Sequence, residues 1–64
     1  MAVKTHRVMP GETLESIALG YYGDECMGDF IFQHNAAYIQ DPNHLYLGQV
    51  IVIPHVPFLK RLLD

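Results

Sequence analysis

The sequence predicts an α+β domain of β-α-α-β order, with two helices packed on one side of a two-stranded antiparallel sheet. Strand patterns occur only near the two ends, at Thr5–Met9 and Gln49–Ile53. Two segments with helical spacing of apolar residues lie between them. Turn residues stand where strands meet helices, at Pro10-Gly11 and at Asp41-Pro42-Asn43. A chain with only two strands must pair them, because a lone strand leaves its N–H and C=O groups without partners.

The elements follow in order. Thr5 to Met9 alternates and stops at Pro10-Gly11, a strand running into a turn. Thr13 is placed to cap the first helix, and Glu12 and Glu15 put negative charge near its positive end. Leu14, Ile17, Ala18 and Tyr21 form one apolar face at i, i+3, i+4 and i+7. Gly20 and Gly23 mark where that helix stops. Asp24 is a plausible cap for the second helix, which is expected to bury Met27, Phe30, Ile31 and Ala37 while Asp29 and Gln33 face water. Gly28 should weaken this helix by about 1 kcal/mol relative to Ala. Gly48 supplies a further turn before the β-branched strand that closes at Pro54. The predicted core sets Leu14, Ile17, Ala18, Phe30 and Ile31 against Val8, Ile51 and Ile53.

The bulk composition narrows the function. Sixty-four residues make one domain, and a chain this short buries only about 60% of its unfolded surface. Cys26 is the single cysteine, so no internal disulfide forms; a lone thiol fits a reducing compartment or a buried apolar site, and the buried site is the preferred expectation. A formal charge of −3 argues against nucleic acid, which needs clustered Lys and Arg. No apolar stretch is long enough to insert in a membrane. No signal-peptide pattern opens the chain, so as written it is expected to stay in the cytoplasm of the cell that makes it.

Nothing marks a catalytic centre. His6, His34, His44 and His55 lie on four different elements without a Cys/His pair at ligand spacing, so surface or packing roles account for them better than a metal. Cys26 has no evident base and oxyanion donor to make it a nucleophile. The acidic residues read as caps or solvated positions, and no cofactor is expected. The two strand–helix connections hold more interest. Antiparallel terminal strands bring Gly11, Glu12, Thr13 and Leu14 to the same end as Ile39, Gln40, Asp41, Pro42 and Asn43. Together these nine residues either form a shallow groove suited to N-acetyl groups or are turns and nothing more.

Val8, Gly11-Glu12-Thr13-Leu14, Ile17-Ala18, Tyr21-Tyr22-Gly23-Asp24, Ile31, Asn35, Asp41-Pro42-Asn43, Gly48-Gln49 and Ile53-Pro54 occur in an order and spacing that resembles a LysM domain. The resemblance covers Thr5 to Pro54. It implies the same βααβ fold and non-catalytic recognition, most often of N-acetylglucosamine polymers such as peptidoglycan or chitin. Two positions depart from the family pattern. Gly28 stands where an aromatic residue is usual, so Met27 or Phe30 is expected to fill that space. Leu47 stands where Pro usually precedes Gly-Gln. No aromatic platform is evident beside the groove, so sugar binding is expected to be weak or absent.

A short LysM-like chain without an export signal also resembles the small tail protein X group of contractile phages and the LysM-bearing baseplate parts of related injection machines. That resemblance implies an adaptor in a virion tail or injection particle, with tail tube and hub proteins as partners. It is the preferred expectation here, with peptidoglycan binding as the alternative. Residues 55–64 fall outside the LysM pattern. Pro57 can open a short helix that gathers Phe58, Leu59, Leu62 and Leu63 on one side, with Lys60 and Arg61 on the other. This tail either packs on its own domain or docks on a partner.

Overall fold

A computed structural model describes residues 4–55 of the chain. Its elements run β1 (Lys4–Arg7), α1 (Leu14–Tyr22), a 3-10 turn (Glu25–Met27), α2 (Gly28–His34) and β2 (Val50–Ile53). The two strands pair antiparallel, with Lys4 opposite Ile53 and Arg7 opposite Val50. The predicted fold is therefore present. Tail residues Phe58, Leu59, Leu62 and Leu63 lie outside the described residues.

Both strands are shorter than expected. Beyond Arg7 the backbone continues to pair, Val8 N–H donating to Gln49 C=O at 2.8 Å and Gly48 N–H to Val8 C=O at 2.8 Å. The chain then bends at once into turns, which ends regular strand geometry. Helix α1 begins with a capping box: Thr13 Oγ1 accepts from Ser16 N–H at 3.1 Å, and Ser16 Oγ accepts from Thr13 N–H at 2.9 Å. It ends at Gly23, whose φ of 72° is the left-handed cap that favours glycine, and whose N–H donates to Leu19 C=O. Gly20 lies inside the helix rather than at its end.

The second helical segment is split. Asp24 caps the 3-10 turn, accepting from Cys26 N–H at 2.9 Å, and α2 starts four residues later and stops at His34. Ala37 therefore lies beyond the helix and is exposed. Cys26 is exposed too, contrary to expectation, because it sits on the outward side of the tight turn.

Val8, Leu14, Ile17, Ala18, Ile31, Ile39, Ile51 and Ile53 form the buried core, with Tyr22, Met27, Phe32 and Leu45 packed around it. Ile51 and Ile53 alternate with the more exposed Val50 and Val52, as a half-buried strand requires. Three core expectations change. Tyr21 is 38% exposed and Tyr22 takes the inward place, its hydroxyl donating to the Pro54 carbonyl. Phe30 is only half-buried, set edge-on to Tyr22 and tilted against His34, while Phe32 packs on the core. Gly28 is not a lost aromatic. A Cβ there would lie 3.2 Å from backbone atoms of both Leu14 and Glu15, so glycine allows α2 to press against the first turn of α1.

Asn35, at the end of α2, is the one buried polar residue among the described residues, 1% exposed. Its amide nitrogen donates to Ile31 C=O at 2.7 Å and Val52 C=O at 2.9 Å, and its oxygen accepts from Val52 N–H at 2.8 Å. The side chain thus supplies β2 with the partner that a third strand would have given. This ties the helical layer to the sheet.

Candidate functional site: the cleft between two turns

The β1–α1 connection is a tight turn. Glu12 N–H donates to Met9 C=O at 3.1 Å, Gly11 has φ 82°, and Pro10 fixes the preceding position. Among the described residues no non-glycine φ is positive, so this is a type II turn with Pro and Gly in their favoured places. Glu12 reinforces it from within. Its Oε1 accepts from Met9 N–H at 2.8 Å and sits 2.8 Å from His6 Nε2. His6 Nδ1 lies 2.8 Å from the Tyr21 hydroxyl. One neutral tautomer satisfies both contacts, with Nε2–H donating to Glu12 and Nδ1 accepting from Tyr21. The hydrogen bond from His6, aided by that from Met9 N–H, holds the Glu12 carboxyl below its ordinary pKa.

The opposite wall is built in the same way. Asp41 Oδ1 accepts from Asn43 N–H at 2.9 Å, and Asp41 C=O accepts from His44 N–H at 3.0 Å. These bonds make Asp41-Pro42-Asn43-His44 a self-supported loop. Between the two turns lies a small open cleft of about 70 Å³, walled by Glu12, Thr13 and Glu15 on one side and by Pro42, Asn43 and Leu45 on the other. The predicted meeting of Glu12 and Thr13 with Pro42 and Asn43 is therefore present. Leu14 and Ile39 are 1% and 3% exposed, so their side chains belong to the core and not to a groove surface. Gly11 stays in the turn without lining the cleft. Gln40 and Asp41 face a second recess on the other flank of the loop, together with Tyr38, His44, Tyr46 and Gln49.

That recess corrects the expectation that no aromatic surface stands near the groove. Tyr38 and Tyr46 are 71% and 67% exposed. In the sequence they carry no periodic signal, and only the path of the 35–49 segment brings them together. Glu15 and Leu45 were also not legible as cleft residues. Leu45 opens the short apolar run Leu45-Tyr46-Leu47, but its inward lean follows from the loop.

Among the described residues, no group of three His, Cys, Asp or Glu side chains is placed to hold a metal ion. No helix there is long and apolar enough to cross a membrane. The cleft carries two carboxylates, Glu12 and Glu15, and no Lys or Arg. Its lining offers carboxylate, hydroxyl and amide groups for hydrogen bonding and repels anions.

A model of the LysM domain family matches residues 6–54. The chain belongs to that family, a class of non-catalytic binding domains. Two Mycobacterium tuberculosis proteins, esterase MT1326 (strain CDC 1551 / Oshkosh) and esterase Rv1288 (strain ATCC 25618 / H37Rv), are each 40% identical to it over 52 residues. The matched stretch is 81% of this chain but only 11% of either esterase.

Proposed function

We propose that this domain binds a neutral N-acetylglucosamine-containing polymer, of the peptidoglycan or chitin class, in the cleft between Glu12-Thr13 and Pro42-Asn43. The supporting observation is the cleft itself: both walls are turns locked by their own hydrogen bonds before any ligand arrives. Such preorganisation lowers the ordering cost of binding. An N-acetyl group asks for amide hydrogen bonds and an apolar wall for its methyl. The Thr13 hydroxyl and the Asn43 side-chain amide suit the first need, and Pro42 and Leu45 suit the second. The match to a short part of two much longer proteins fits a binding module that is joined to other units.

The test is retention of the purified chain on insoluble peptidoglycan and chitin, with Asn43→Ala as the cleft variant. Wild-type retention that this variant loses supports the reading. Equal retention of both, or none, removes it. The adaptor role in a phage tail or injection particle is a second reading. It draws on the exposed apolar side chains Leu19, Leu47 and Val50, which are 52%, 71% and 51% exposed, and on Phe58, Leu59, Leu62 and Leu63 as docking groups. Pull-down of a discrete tube or hub protein from the producing cell, without retention on glycan, would favour it.

A further inference from the structure

The recess on the far flank of the 39–46 loop has no part in the cleft chemistry above. It encloses about 260 Å³, somewhat short of the roughly 300 Å³ at which drug-sized sites begin. Tyr38 and Tyr46 stand at its sides with most of their rings in water. Neither hydroxyl has a hydrogen-bond partner among the described residues. Single exposed aromatics are ordinary. Two that share one recess, both anchored by the same side chain, call for an explanation.

Gln49 is that anchor. Its Oε1 accepts from Tyr46 N–H at 3.0 Å and its Nε2 donates to Tyr38 C=O at 3.3 Å. The two tyrosine backbones are thus held at a fixed separation. His44 packs edge-on to the Tyr46 ring, with centroids 4.9 Å apart and planes at 87°, which restrains that ring's orientation. Gln40, Asp41 and His44 put hydrogen-bonding groups on the same rim.

Charge selects among ligands. The recess has one carboxylate, Asp41, and no Lys or Arg, and the chain carries a formal charge of −3. A phosphate or an acidic peptide would meet repulsion there. A neutral pyranose would not. The C–H groups on one face of a sugar ring suit the electron-rich face of a tyrosine, and its hydroxyls suit the amide, carboxylate and imidazole around it.

We propose that this recess is a second carbohydrate contact, taking one neutral pyranose ring stacked on Tyr46, with Tyr38 as the facing wall. The domain then grips a glycan on both flanks of one loop. This rests on reading the cleft as a glycan site, and the two claims separate experimentally. Amide and side-chain NMR shifts of the full chain are followed with N-acetylglucosamine oligomers from dimer to hexamer, for wild type, Tyr38→Ala, Tyr46→Ala, Tyr46→Phe and Asn43→Ala. The hexamer should shift Gln40, His44, Tyr46 and Gln49 as well as Thr13 and Asn43. Tyr46→Ala should weaken hexamer binding about tenfold, the scale of one ring-stacking contact, while Tyr46→Phe retains it. Shifts confined to the cleft, with both tyrosine-to-alanine variants binding like wild type, overturn the recess and leave the cleft standing. Shifts confined to the recess support it and remove the cleft. Silence at both up to millimolar oligomer overturns both.

Discussion

Replacing Asn35 should be the most damaging single change to a polar residue in this domain. Asn35→Ala removes three hydrogen bonds, at 2.7, 2.8 and 2.9 Å, from a side chain that is 1% exposed. The net worth of each bond is about 0.5–1.5 kcal/mol. The Val52 N–H and C=O then face a space that no protein group fills. A buried unsatisfied donor costs about 1–3 kcal/mol. A loss of roughly 3–5 kcal/mol follows, against a total stability of about 3–10 kcal/mol for a chain of this length. Urea denaturation followed by far-UV circular dichroism reads the effect directly. A second variant tests the mechanism and not only the size. Asn35→Asp keeps the acceptor for Val52 N–H but turns an oxygen toward the Ile31 and Val52 carbonyls. Burial and those carbonyls disfavour its ionised form, so the introduced carboxyl has a raised pKa in the folded state. Stability relative to wild type should therefore recover as pH falls and be lost as pH rises through that value. An Asn35→Ala variant within about 0.5 kcal/mol of wild type, or an Asn35→Asp variant without that pH dependence, refutes the claim that this amide completes the sheet.

Gly28→Ala should not yield the helix-propensity gain of about 1 kcal/mol. The added Cβ meets capped backbone at Leu14 and Glu15 that cannot easily give, so an unchanged or lowered Tm is expected and a rise would count against the close approach. Leu47→Pro should stabilise by about 0.4–1 kcal/mol by restricting the unfolded chain. Gly48 at φ 82° and the Gln49 N–H to Tyr46 C=O bond of 3.0 Å define a type II turn with Leu47 at the position proline favours, and Leu47 is exposed. Loss of thermal stability in this variant would show the turn assignment to be in error. Glu12, whose folded pKa is depressed below 4.5, contributes stability that is present above that value and is withdrawn as pH falls through the lower folded one. Glu12→Gln should flatten this part of the acid-unfolding profile, measured between about pH 7 and pH 3. An unchanged profile would mean that the His6–Glu12–Met9 network adds nothing to folding.

The residues legible from sequence are those whose role is local. Thr13 caps, Gly11, Gly23 and Gly48 take positive φ, and the spacing of Leu14, Ile17 and Ala18 fixes the buried face of α1 wherever that helix packs. Strand pairing was legible by elimination. Four of the six residues lining the candidate cleft were legible as well, because antiparallel strands must bring their connecting turns to one end. A residue whose role depends on what lies opposite it in the fold is not legible in this way. Tyr21 and Tyr22 are equally placed by helical period, and only the Pro54 carbonyl selects Tyr22. Phe30 and Phe32 are both apolar on a short helix, and the direction of packing chose Phe32.

Sequence alone therefore determined the order of elements, the turns and most of the core, since propensity, capping and periodicity act within a few residues along the chain. Tertiary structure decided that Gly28 is a contact and not a gap, that the Asn35 amide stands in for a missing strand, and that Gln49 fixes Tyr38 and Tyr46 on one recess. Each of these depends on atoms far apart in sequence lying within about 3–4 Å, a range at which packing and hydrogen bonding act but sequence spacing is silent.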